Sequence, residues 1–128
     1  IAFHSYPSKN IENIPKNTKV VFDVASENIG RAYDPTTGIF AAPVDGAYVF
    51  HWTTMIKPGT YFATILKVNG QGKAFNQGYA HYHKDYYSPS QMFVGYLKRG
   101  DKVWLSSDDN IGQYIHRGIR SSFSGFLL

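Results

Sequence analysis

The chain has 128 residues, 43% apolar and only 17% charged, which supports one buried core and excludes a disordered, charge-rich chain. Thirteen Lys and Arg against nine Asp and Glu give a net charge of +4, spread from Lys9 to Arg120 without a run of three basic residues, so no nucleic-acid-binding stripe is present. Cys is absent, which removes disulfides, thiolate zinc sites and cysteine catalysis together, and no apolar run approaches the ~20 residues that span a bilayer.

A start at Ile1, without an initiator Met or the charged and apolar regions of a leader, is expected of a processed mature chain or an excised domain. Ten Tyr, nine Phe and two Trp, with 12 Gly and six Pro, form a β composition. In chain order, turn signals stand at residues 34–38, 43–46 and 57–59, at Asn69-Gly70, at Ser88-Pro89, and at residues 99–101 and 108–110. Asn69-Gly70 is the clearest hairpin, because a type I′ turn needs φ > 0 at both central residues.

Between these marks the period is two. From Gly46 to Met55 it places Tyr48, Phe50 and Trp52 on one face and Ala47, Val49, His51 and Thr53 on the other. Phe93 and Leu97 alternate with Val94 and Tyr96, then Val103 and Leu105 with Trp104. The last strand sets Phe123 and Leu127 against Phe126 and Leu128. No sustained helical spacing occurs, so residues 1–128 are expected to form one all-β domain, a sandwich or a barrel, with little helix. Several strands carry large apolar groups on both faces. That pattern predicts one face against the core and the other against a neighbouring subunit.

A spaced pattern runs from Phe22 through Asn28, Tyr33, Phe40 and Gly46 to the alternating Tyr48, Phe50 and Trp52. It resembles the signature of the C1q globular-head domain, with Trp52 where that family usually has Phe or Tyr. Ile1-Ala2-Phe3-His4-Ser5, Gly100-Asp101-Lys102-Val103-Trp104-Leu105 and Ser122-Phe123-Ser124-Gly125-Phe126-Leu127-Leu128 resemble its opening, Gly-Asp-x-Val-Trp-Leu and closing strands. The resemblance implies a C1q/tumour-necrosis-factor-like jelly roll of about ten antiparallel strands, assembled as a homotrimer with room for higher assembly. It also implies secretion and a part in innate immunity.

The most chemical stretch is Tyr79 to Tyr87. On a strand His81 and His83 would share a face with Asp85, a plausible zinc or copper set, whereas a strand end would leave two solvated imidazoles. The flat rings of Tyr79, Tyr82, Tyr86 and Tyr87 suit sugars or a protein epitope. Farther along, Asp108-Asp109-Asn110 reads as an acidic turn able to hold a hard cation or simply solvated, followed by Gln113, Tyr114, His116, Arg117 and Arg120. The resemblance would place an acidic calcium ligand near Ser88-Pro89, where this chain offers Tyr86, Tyr87 and only Asp85.

Arg99-Gly100-Asp101 spells an integrin-recognition tripeptide, but it stands where the resembled pattern needs a Gly-Asp turn. No nucleophile elbow, zinc helix or phosphate loop occurs, so no enzyme is expected. The expected function is a lectin-like trimer that binds carbohydrate or a microbial surface ligand, sialylated ones included. Its contacts are Tyr79, His81, Tyr82, His83, Asp85, Tyr86, Tyr87, Tyr114, His116, Arg117 and Arg120. No cofactor is required; a calcium or zinc ion at His81, His83, Asp108 and Asp109 is the metal option. The alternatives are a trimerising or receptor-binding head of a larger protein, or a secreted metal binder through His81 and His83. Neither nucleic acid nor membrane insertion is expected.

Overall fold

The computed structural model describes residues 1–82, 84–111 and 114–128, the side chains at 109–111 excepted. Turn chemistry divides the chain into β1 (Ala2–Tyr6), β2 (Ile11–Glu12), β3 (Val24–Ile29), β4 (Tyr33–Asp34), β5 (Ile39–Ala41) and β6 (Gly46–Thr53). There follow β7 (Tyr61–Val68), β8 (Gln71–Tyr79), β9 (Ser90–Leu97), β10 (Lys102–Ile111), β11 (Tyr114–Ile115) and β12 (Ser122–Leu127). A single 3-10 turn, Gly118–Arg120, is the helical element among the described residues. Asn69 (φ 50°) and Gly70 (φ 87°) both take the left-handed conformation between β7 and β8, with Val68 opposite Gln71, as the predicted tight hairpin requires.

Two five-stranded sheets result, in the orders β3-β1-β12-β6-β9 and β4-β5-β10-β7-β8, with a small β11-β2 pair beside them. Every pairing in them is antiparallel. The alternation read from β6 holds: Tyr48, Phe50 and Trp52 are fully buried, while Val49 and His51 face outward. Phe3 stacks on Tyr33 at 4.5 Å, and Phe40 meets the edges of Tyr48 and Phe50 at 5.5 and 5.2 Å. Each such ring removes on the order of 150–250 Å² from water, about 4–6 kcal/mol at most. Trp52 Nε1 donates to Thr64 Oγ1 at 2.8 Å across the core, which satisfies the one polar group its burial brings in. Gly125 is needed between these rings, because a Cβ there would lie 2.7 Å from both Phe3 and Phe50.

The outer face of the first sheet is the unusual surface. Ile29, Ala2, Phe126, Val49 and Val94 are consecutive cross-strand partners on it, from one edge of the sheet to the other. Met92, Tyr96 and Leu128 extend this apolar field, and Tyr96 and Leu128 are 67% and 78% exposed. The two-faced strands of the sequence are therefore real: Phe123 and Leu127 pack on the core, Phe126 and Leu128 outside it.

Two local expectations are corrected. Residues 108–110 are not a turn: β10 continues to Ile111, pairing Asn110 with Phe62 and Ile111 with Tyr61 after a register shift beyond Ser107. His81 and Tyr82 form a turn past the end of β8, so the period-two argument for convergent imidazoles does not apply to them. His83, Gln113 and the Asp109 side chain lie outside the described residues.

Candidate functional site

The loops beyond the ends of β6, β9 and β12 build a depression of about 410 Å³ lined by Met55, Tyr86, His116, Arg117 and Arg120. Backbone bonds set its walls. Ile56 is fully buried and bridges Tyr87 through N–H···O bonds of 2.8 and 3.0 Å, which brings Tyr86 beside Met55. His116 N donates to Met55 O at 2.8 Å, and Met55 N donates to the buried Ser121 Oγ at 3.0 Å. Arg117 N donates to Asn10 Oδ1 at 2.9 Å and Gly118 N to Pro7 O at 2.7 Å, so the amino-terminal segment clamps the arginine loop from below. A site tied at so many backbone points loses little freedom when a ligand arrives.

Its chemistry is cationic and aromatic. Arg117 and Arg120 have no carboxylate partner among the described residues. His116 Nδ1 lies 2.9 Å from the Arg117 carbonyl, an acceptor, so Nδ1 carries the proton and Nε2 is left for a ligand. The Tyr86 and Tyr114 rings each meet the His116 ring edge at 5.8 Å. Tyr114 itself is buried beneath, with Lys57 Nζ 4.7 Å from its ring centre. Burial, then the neighbouring Tyr86 and Glu12, pushes the Tyr114 hydroxyl above its ordinary pKa, so it stays a neutral phenol at physiological pH.

The remaining residues of the sequence-based site form a second group. Tyr79 packs on Tyr61 at 5.4 Å and lies 6.1 and 6.3 Å from His81 and Tyr82, an exposed aromatic cluster at the end of the β7–β8 hairpin. Asp85 and Tyr87 are exposed between the two groups in sequence. Tyr61 and Met55 were missed, because only the β7–β8 register and the Ile56–Tyr87 bridge reveal them.

No group of three His, Asp or Glu able to hold a metal ion occurs among the described residues, and Asp108 pairs with Lys16 at 3.7 Å. The oxygen donors that calcium needs are thus not assembled among them. Asp101 of the Arg-Gly-Asp tripeptide is occupied structurally: its carboxylate accepts from Lys98 N and Asn69 Nδ2 at 2.9 and 3.0 Å. The Lys98 N–H above all holds that carboxyl below the usual range.

Compared with known proteins, residues 2–128 match the family model of the C1q domain. This chain belongs to the C1q domain family. It is 33% identical over 112 residues to the collagen alpha-1(X) chain of Mus musculus, covering 85% of this chain and 16% of that one. It is 28% identical over its whole length to the complement C1q tumor necrosis factor-related protein 3 of Homo sapiens, 51% of which it spans. The chain therefore covers about half or less of these relatives' own lengths. The globular domain of zebrafish complement 1qA superposes with a TM-score of 0.80 at 20% identity, over 99% of this chain and 96% of that one. The fold is thus the C1q/tumour-necrosis-factor-like jelly roll that the spaced pattern from Phe22 to Trp52 implied. The family indicated is not one of enzymes. No helix among the described residues is long and apolar enough to cross a membrane.

Proposed function

We propose that this C1q domain is a secreted, homotrimeric, lectin-like recognition module that binds acidic carbohydrate on microbial surfaces, with no catalytic activity. The observation that carries the reading is the depression of Met55, Tyr86, His116, Arg117 and Arg120, whose two guanidinium groups have no carboxylate partner among the described residues and lie beside exposed ring edges. Guanidinium groups take a carboxylate or phosphate through paired, charge-assisted hydrogen bonds, and aromatic surfaces take the C–H face of a sugar. A sialic acid offers both features. The Tyr61, Tyr79, His81 and Tyr82 cluster supplies a second surface for the rest of a glycan chain. Likeness to a collagen chain and a complement-related protein supports an extracellular setting.

A single shallow site of this kind binds weakly. The apolar outer face of the first sheet supports assembly with two further copies, and three sites held on one body gain avidity of ~10²–10⁴ where the geometry fits. The same face would serve a trimerising head of a stalked protein, the second reading, which the collagen relative favours. Glycan-array binding followed by the double variant Arg117→Ala/Arg120→Ala decides between them. Loss of sialylated-glycan binding by roughly tenfold or more per arginine supports recognition, at the worth of a hydrogen bond to a charged group. An array without any hit on the parent chain leaves the trimerising head.

A further inference from the structure

The outer face of the second sheet, on the opposite side of the sandwich from the apolar field, gathers a separate set of cations. Val103 and Leu105 of β10 are buried in the core, so Lys102 and Trp104 alternate to the outside. Trp104 pairs across β7 with Lys67. Lys67 and Lys102 are then diagonal neighbours, with Cβ atoms about 7–8 Å apart. Lys19 reaches the same spot from another segment: it bridges Ser106, and its Nζ lies 4.8 Å from the Trp104 ring centre, a cation–π contact that ties the ammonium down. At the β4–β5 edge, Lys102 also lines a hollow of about 410 Å³ with Arg31, Asp34, Thr37 and Ile39.

None of Lys19, Lys67, Lys102 and Arg31 pairs with a carboxylate among the described residues. Of the acids described nearby, Asp34 lines the hollow itself and is the one negative charge there, its Oδ1 accepting from Thr36 N at 2.8 Å, whereas Asp108, farther along β10, pairs with Lys16. Lys67 and Lys102, within about one Debye length of each other by this register, repel until an anion arrives. Beside Lys67, Ile65 and Phe75 are cross-strand partners, and Phe75 is 42% exposed, an apolar strip suited to a sugar's C–H face. The ring at the centre of the cations offers no bare stacking platform for a nucleic-acid base, because Lys19 lies over it.

We propose that this face binds a sulfated polysaccharide, through Lys19, Lys67, Lys102 and Arg31. The surface is independent of the arginine depression, and its position across the sandwich leaves it open when the apolar field is covered. The probe is heparin, with chemically desulfated heparin and a single-stranded DNA of matched charge as controls, measured at several salt concentrations. The parent chain is expected to bind heparin with an affinity that falls as salt rises, and the desulfated chain at least tenfold more weakly. The triple variant Lys19→Gln/Lys67→Gln/Lys102→Gln should bind heparin at least tenfold more weakly, with a shallower salt dependence as fewer counterions are displaced. Lys67→Gln and Lys102→Gln singly keep the test open if loss of Lys19 lowers the melting temperature, and each should weaken binding about threefold. No heparin binding by the parent, undiminished binding by these variants, or DNA binding as tight as heparin would overturn the proposal. So would heparin binding lost only on Arg117→Ala/Arg120→Ala. Sialylated-glycan binding is expected to survive the lysine changes, so the two surfaces fail separately.

Discussion

The hydroxyl of Tyr33 lies inside the sandwich, donating to the Phe22 carbonyl at 2.7 Å while its ring stacks on Phe3. Burial, ahead of the Asp23 and Asp34 charges, pushes its pKa up from 10.0 to about 12. The folded state therefore holds this proton more tightly than the unfolded chain, and the associated stability is complete below pH 10. It is lost as pH rises from about 10 through about 12, a change on the order of 2–3 kcal/mol. Tyr33→Phe should flatten this alkaline limb in a series of denaturant melts; an equally steep loss in the variant would exclude Tyr33 as its source. Phe22 and Tyr33 were legible in the sequence because they belong to a fixed spacing, and they are buried as that spacing implies. Tyr86, His116, Arg117 and Arg120 were legible only as residue types suited to a ligand. Their grouping depends on Asn10, Pro7 and Ser121, contacts up to 111 residues apart in the chain (Pro7 to Gly118). Tyr114 was read as a ligand contact and is buried, since the two-residue β11–β2 pairing has no sequence signal strong enough to place it.

Among the elements, the β7–β8 hairpin isolates backbone strain from packing. A Cβ on Gly70 would meet nothing within 4 Å, yet its φ is 87°. Gly70→Ala should therefore cost about 1–2 kcal/mol through conformation alone, read as a lower denaturant midpoint with an unchanged slope. A midpoint equal to the parent's would mean that the turn relaxes to another type. The hairpin was readable because two adjacent residues encode it. The acidic triplet at 108–110 was misread for the converse reason: pairing of Asn110 and Ile111 with Phe62 and Tyr61 overrides a local preference for turning. Local turn chemistry decides where nothing else competes for the backbone, and yields where a neighbouring strand offers it hydrogen bonds.

For the whole molecule, the outward row Ile29, Ala2, Phe126, Val49 and Val94 is the feature that a solitary domain would not need. Phe126→Glu with Val94→Glu puts two charges on that row without touching the core. Sedimentation should then show a monomer, against the trimer proposed for the parent chain, with the β circular-dichroism signature kept. Assembly unchanged by both charges would place the subunit contact elsewhere. The all-β class and the two-faced strands were visible in the period-two pattern and the jelly roll in the spaced pattern from Phe22 to Trp52, whereas the cation cluster around Trp104 was not, because Lys19, Lys67 and Lys102 share no local spacing. The pairing of β1 with β12 carries a last consequence. On the ribosome the opening strand must wait, one edge vacant, until the closing strand emerges more than a hundred residues later. The first sheet can then be completed only after synthesis of the domain ends, so this topology folds late and slowly, and chaperones would meet it with that edge still bare.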